Sequence, residues 1–219
     1  MSEPTMPESK TITCNDLQKD IQHYASELGY RLDMIKPADN PREAIVSKDG
    51  TLIRLVRNSD VELGTLNLEP SRSSDWVVGR AGMMYRGLVP DRLGGKLIAS
   101  HIRIIDGGDV PDNVHFHKID FQMIHCLKGA IRVVYEDQGP PFWLRPGDWV
   151  LQPPEIRHRV LAAGAGSEVI ELTSPAEHET WFDHDLDLPN NVVNPDRLFG
   201  GQRFAHHKGA VLEIARELI

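Results

Sequence analysis

The chain has only two cysteines in 219 residues, Cys14 and Cys126, and they form no CxxC pair. That excludes a disulfide framework and the spacing of a zinc knuckle. No window approaches 18 consecutive apolar residues, which excludes a membrane-spanning helix. The first ten residues are polar and carry Glu3 and Glu8, so they do not form the apolar core of a secretory signal. No Asn-x-Ser/Thr site occurs. Basic blocks are absent too: 24 Lys and Arg against 32 Asp and Glu give a net charge of −8. That balance argues against binding a nucleic-acid phosphate backbone. Gly94-Gly95-Lys96-Leu97 is not a P-loop, because Pro90 stands where its first glycine belongs and Leu97 replaces Ser or Thr. His178-Glu179 lacks the second histidine of a zinc-protease helix, and no Gly-x-Ser-x-Gly elbow occurs. These absences describe a soluble, reduced, cytoplasmic protein with no nucleic-acid or membrane partner.

Turn formers and histidines are plentiful: 18 Gly, 15 Pro and 10 His. Residues 1–12 read as a loose tail. Thr13 to Leu28 reads as a helix, with Leu17, Ile21, Ala25 and Leu28 at helical spacing, Thr13 and Asp16 as a capping pair and Gly29 as the stop. Ala44 to Arg57 reads as a hairpin turning at Asp49-Gly50. Short apolar pieces follow at Val61–Leu68, Trp76–Val78 and Met83–Val89. Between residues 95 and 173, short strands recur with turn signals between them: Lys96–Ile105, Phe121–Leu127, Ala130–Tyr135, Phe142–Leu144, Trp149–Gln152, His158–Ala162 and Glu168–Thr173. Lys128-Gly129 reads as a tight turn between paired strands. This spacing predicts an all-β sandwich or barrel. The segment after Pro175, with His178, Asp183, His184, Asp185 and Asp187, reads as a solvated acidic tail, His206-His207 reads as surface, and Val211–Leu218 reads as a short closing helix.

One constellation carries chemistry. His115 and His117 are separated by one residue. On a strand they share a face, about 6.6 Å apart at ~3.3 Å rise per residue, so both imidazoles can approach one ion. Gln122 opens the next strand. After Pro146-Gly147-Asp148 and Pro153-Pro154, His158 adds a third imidazole from a separate strand. A single His-x-His is common in structural settings; the third histidine after a Pro-Gly-Asp turn is what favours a metal site.

This order of residues resembles the cupin superfamily, whose motifs read roughly G-x5-H-x-H-x3-4-E-x6-G and G-x5-P-x-G-x2-H-x3-N. The resemblance covers about residues 95–173. Gly108, His115, His117 and Gly129 fit the first motif with one extra residue after Gly108, and Gln122 stands in the place of Glu. Gly147-Asp148, Pro153-Pro154 and His158 fit the second, with Ala162 where the family often has Asn. The resemblance implies a small antiparallel barrel or jelly roll holding one divalent metal, with His115, His117, Gln122 and His158 as ligands. Gln122 either ligates through its carbonyl or hydrogen-bonds a bound water.

The expected organisation is residues 1–94 as an N-terminal extension with helix 13–28 and extra strands, 95–173 as the barrel, and 174–219 as a C-terminal extension. Three imidazoles and an amide leave a divalent ion its full charge, which suits an anionic chelating substrate such as an enolate, a β-diketonate, a hydroxyketone or a salicylate-like group. That pattern is similar to the three-histidine iron dioxygenases among cupins. The expected function is therefore a metal-dependent oxygenase-type reaction on an aromatic, dicarbonyl or hydroxyketone compound, with iron first and zinc, nickel or manganese as alternatives. A non-redox lyase, isomerase or cyclase is the second reading, and a ligand-binding barrel without catalysis the third. Strand parity places Ile124 and Cys126 inward with Gln122, Val160 inward with His158, and Arg157 and Arg159 outward. Tyr135, Trp143 and Trp149 read as core or rim packing. His101 and Arg103 share a strand face opposite Ile102 and Ile104; an inward apolar face, the preferred reading, leaves them on the surface, and an inward polar face places them in the pocket. Outward Phe121 and Met123 suggest a homodimer built by sheet contact.

Overall fold

The computed structural model describes residues 9–38, 41–58, 76–89 and 92–209. The expected pieces at Val61–Leu68 and Val211–Leu218 lie outside the described residues. In chain order the elements are β1 (Ser9–Cys14), α1 (Leu17–Ser26), β2 (Arg31–Lys36), β3 (Glu43–Lys48), β4 (Thr51–Arg57), β5 (Val77–Val78), β6 (Met84–Gly87), β7 (Ile98–Ile104), β8 (Gly108–Asp109), β9 (His115–His117), β10 (Phe121–Lys128), β11 (Ile131–Tyr135), β12 (Phe142–Leu144), β13 (Trp149–Gln152), β14 (His158–Ala163), β15 (Ser167–Ser174), β16 (Thr180–Phe182) and β17 (Ala205–His207). They form two sheets. Sheet I runs β1-β4-β3-β2-β16-β9-β14-β11-β12, with β8 beside β14; sheet II runs β17-β13-β10-β15-β7-β6-β5. This is the expected all-β, two-walled architecture with an N-terminal helix.

The alternation of apolar side chains builds the barrel core. Ile102, Ile124, Val150 and Val169 from sheet II meet Ile131, Val133 and Leu144 from sheet I. Cys126 is fully buried there, as its phase with Gln122 requires, and burial pushes its thiol up to about 11, with the charge of Asp148 adding to the effect. A second core lies under α1, where Leu17 and Ile21 cover Ile35, Ala44, Val46, Ile53 and Leu55. The β3–β4 hairpin turns at Asp49-Gly50 with both φ angles positive (48° and 78°), the geometry of a two-residue hairpin turn.

Four expectations are corrected. The helix begins four residues later than Thr13: Asp16 is its N-cap, accepting from the Lys19 N–H at 3.1 Å. Thr11, Ile12 and Thr13, taken for tail and cap, instead form β1, because alternating β-branched residues suit a strand, and β1 runs parallel to β4. Strand β2, unrecognised in the sequence, pairs with both β3 and β16. Lys128-Gly129 does not join paired strands. It crosses between sheets: β10 pairs with β13 and β15, and β11 with β12 and β14. Gly129 has φ 71°, and a Cβ there would meet Ser167 Oγ at 2.3 Å, so this crossing requires glycine.

The acidic tail is also structured. Thr180–Phe182 inserts as β16 between β2 and β9, joining the N-terminal strands to the barrel in one sheet. His178 is buried, and Asp183 is paired with Arg157 at 3.1 Å. His206 is half-buried on β17 and stacks on Phe142 at 4.3 Å; burial lowers its pKa. Among the described residues no helix is long and apolar enough to cross a membrane.

Candidate metal centre

Register brings the three histidines together. Across sheet I, Tyr135 lies opposite His158, His158 opposite His115, and His115 opposite Phe182; one row on, His117 lies opposite Thr180. One ring nitrogen from each of His115, His117 and His158 lies within 4.8 Å of the others, and all three side chains are buried. Their ring centroids are 4.3 to 5.2 Å apart.

Proton bookkeeping fixes two of the tautomers. His115 Nδ1 lies 2.7 Å from the Asn113 carbonyl oxygen, and His158 Nδ1 lies 2.9 Å from that of Ile156. A carbonyl only accepts, so both Nδ1 atoms carry the proton and both Nε2 atoms keep a lone pair. His117 Nδ1 meets the Thr180 hydroxyl at 2.8 Å, a partner that holds the ring but, being able to donate or accept, does not set its tautomer. Hydrogen-bonding one ring nitrogen so that the other is presented as a ligand is how metal-binding histidines are oriented. Three buried imidazoles, each with a ring nitrogen within 4.8 Å of the others, fit a divalent transition metal such as iron, zinc or nickel.

The facing wall is polar without being cationic. On sheet II, Gln122 lies between Gln152 on β13 and Thr173 on β15, and all three side chains are buried. The Tyr135 hydroxyl donates to Gln152 Oε1 at 3.0 Å, so the Gln152 amide nitrogen faces the other way. That nitrogen donates to Gln122 Oε1 at 3.0 Å and to His158 Nε2 at 3.1 Å. One amide therefore spans the two sheets, and both of its hydrogens are used. Gln122 is thereby held with its carbonyl oxygen toward the histidines' side of the barrel. Tyr135 also stacks on His158 (5.5 Å, 25°), and burial raises its hydroxyl pKa, with the charge of Glu171 adding to the effect.

The structure brings the three histidines together and links Gln122 to His158 through the Gln152 amide. It adds Gln152, Tyr135 and Thr180, which the linear reading left out, and places His178 beside His117 with ring centroids 5.4 Å apart. Gln152 carried a readable signal: it shares the phase of inward Val150 yet is polar. Thr180 and His178 carried none, because they lie beyond the barrel segment and reach the site only through the pairing of β16. His101 and Arg103 point away from the site, as the preferred reading had it. They are not freely solvated, however: His101 is buried, 2.7 Å from Glu168, and Trp76 lies under Arg103 at 4.4 Å. A cavity of about 590 Å³ elsewhere, lined by Arg31, Asp33, Ser47, Leu52 and Trp181 among others, contains no triad residue.

No family model matches the chain, and no curated protein matches it. Solved structures do resemble parts of it. KdgF from Halomonas sp. is 26% identical over 46% of this chain and 87% of its own, with a TM-score of 0.38. An RmlC-like cupin from Shewanella frigidimarina is 23% identical over 48% and 86%, with a TM-score of 0.39. The polyketide cyclase RemF from Streptomyces resistomycificus is 19% identical over 53% and 82%, with a TM-score of 0.42. About half of this chain takes part in each match, so the assignment of the fold rests on the sheet order, the register and the histidine triad described above.

Proposed function

From a cupin-type barrel with three converging imidazoles, we propose a metal-dependent enzyme that acts on a small, oxygen-rich, chelating substrate. The observation that carries this reading is the triad itself: three buried histidines from two strands, with the His115 and His158 tautomers set by backbone carbonyls so that Nε2 holds the lone pair, which His158 shares with the Gln152 amide until an ion displaces it. His115, His117 and His158 hold the ion in this reading, and Gln122 completes or supports its surroundings. Bound there, the ion supplies Lewis acidity toward a chelating substrate and, if it is iron, a one-electron redox couple. The protein's own groups hold the imidazoles by their Nδ1 atoms and keep Gln122 oriented through Gln152.

The finer reading is an oxygenase-type reaction on an aromatic, dicarbonyl or hydroxyketone compound with iron. The donor set as seen carries no formal charge, so substrate charge takes the place of a carboxylate ligand. The same neutrality leaves zinc, nickel or manganese its full charge, which favours a lyase, isomerase or cyclase as the second reading. We further propose a homodimer through the outer face of sheet II, where Phe121 and Met123 are half-buried, and a reducing cytoplasmic setting, consistent with two buried thiols in separate cores.

The test is elemental analysis of the purified protein and of His115→Ala, paired with oxygen uptake on candidate substrates. Stoichiometric metal in the parent and its loss from a variant with unchanged circular dichroism is the expected result. Equal metal content in both overturns the assignment. Iron with oxygen uptake selects the first reading; zinc or nickel without uptake selects the second.

A further inference from the structure

Strand β15 carries two glutamates of opposite phase. Glu168 lies opposite Arg103 and faces outward, bonded to Arg103 and His101. Glu171 lies opposite Ile124 on β10 and Ser100 on β7, in phase with buried Val169 and Thr173. Three positions on, the alternation turns it inward. Among the described residues of the strands, Glu171 is the acidic side chain at an inward position of the barrel. Thr173 Oγ1 donates to Glu171 Oε1 at 3.4 Å, and Thr173 is the cross-strand neighbour of Gln122. The charge of Glu171 is also felt by the buried Tyr135 hydroxyl, which is bonded to Gln152. The carboxylate therefore stands beside the Gln152–Gln122–Thr173 row, on the wall that faces the triad. It is half-buried, so part of its surface remains accessible.

This placement changes the charge balance read from the sequence, where Gln122 left the site without a carboxylate. A carboxylate accepts hydrogen bonds and donates none. Inside a barrel, where water screens poorly, it attracts a hydroxyl and repels a second anion. We propose that Glu171 sets specificity at this site by hydrogen-bonding the hydroxyl of a chelating hydroxy-carbonyl compound and excluding dianionic chelators. This rests on the metal reading above and narrows its substrate class to hydroxyketones and related hydroxy-carbonyls, away from dicarboxylates.

The test uses the full chain loaded with cobalt(II), whose absorption spectrum reports ligand binding without turnover. Hydroxyacetone and malonate serve as probes, titrated into the parent and into Glu171→Gln. In the parent, hydroxyacetone is expected to perturb the spectrum at lower concentration than malonate. In Glu171→Gln, malonate binding is expected to tighten about tenfold and hydroxyacetone binding to weaken several-fold, the size of effect expected from removing one nearby charge and one hydrogen bond. Equal cobalt content with an unchanged ratio of the two affinities overturns the role of Glu171. Failure of the parent to bind cobalt overturns the metal reading instead. Should Glu171→Gln not fold, Glu171→Asp keeps the charge but shortens the reach: retained exclusion of malonate with weakened hydroxyacetone supports the proposal, and equal change in both overturns it.

Discussion

The two cores of this protein are built on different rules. Under α1, the side chains that meet are apolar: Leu17, Ile21, Ile35, Ala44, Val46, Ile53 and Leu55, closed by the Cys14 thiol, which burial above all pushes up to about 12. The barrel begins the same way, with Ile102, Ile124, Val150 and Leu144, but its buried interior also holds His115, His117, His158, Gln122, Gln152 and Thr173. Buried polar groups cost free energy unless each is satisfied, so a polar interior this well bonded is organised around something other than stability. The N-terminal core contributes stability and a wall; the barrel interior gives some of that up for chemistry.

This contrast can be broken from either side. The largest effect is expected in the apolar core. Leu55 is fully buried, and Leu55→Ala should lower unfolding stability by about 2–5 kcal/mol in urea titrations, while metal content per folded molecule stays unchanged. A parallel loss of metal in folded protein would show that the two cores are not separable. In the barrel, Gln152→Leu should do the reverse. It removes the partner of the Tyr135 hydroxyl and of the Gln122 carbonyl, costing about 1–3 kcal/mol, and should weaken metal affinity by about 10–100-fold, measured by competition with a chromogenic chelator. Unchanged affinity would confine Gln152 to a packing role.

The smallest effect lies at the seam between the regions. Burial pushes the Asp183 carboxyl up, but hydrogen bonds from Arg157 and the Asp185 and Leu186 N–H groups, with the Arg157 charge, outweigh this and hold its pKa below the usual carboxylate range. A carboxyl lowered on folding stabilises above its unfolded pKa and loses that contribution as pH falls through its folded value. Asp183→Asn should therefore cost up to about 1 kcal/mol at pH 7, and its difference from the parent should shrink below about pH 4. A pH-independent difference would mean that the ion pair contributes nothing.

How much of this was legible in the chain follows the same division. His115 and His117 could be read because strand parity is local, and His158 because a Pro-Gly-Asp turn marks the strand before it. Ile124 and Cys126 followed from Gln122 by phase alone. What escaped depends on pairing between distant segments. Nothing local in Thr180 shows that β16 lies beside β9, and nothing in Lys128-Gly129 distinguishes a turn between neighbours from a crossing between sheets. Glu171 is readable in phase but not in consequence, since the residues around it, Ile124, Ser100 and Tyr135, come from other strands. Thr11 and Ile12 read as tail and Thr13 as helix start because a strand of so few residues gives only a weak local signal until β4 supplies its partner.

That partner has a bearing on how the molecule meets other copies of itself. Strand β1 covers the open edge of β4, whose run Leu52, Ile53, Leu55 and Val56 would otherwise offer unpaired backbone groups beside apolar side chains, a template for strand addition. In its place β1 presents Lys10, Thr11 and Thr13, polar residues that suit an edge poorly disposed to recruit another chain. The far edge of the same sheet ends in β12, three residues long between Pro140-Pro141 and Pro146, where proline supplies no backbone donor. Sheet I is thus guarded against end-to-end growth at both margins, which leaves broad faces rather than edges as the route to self-association.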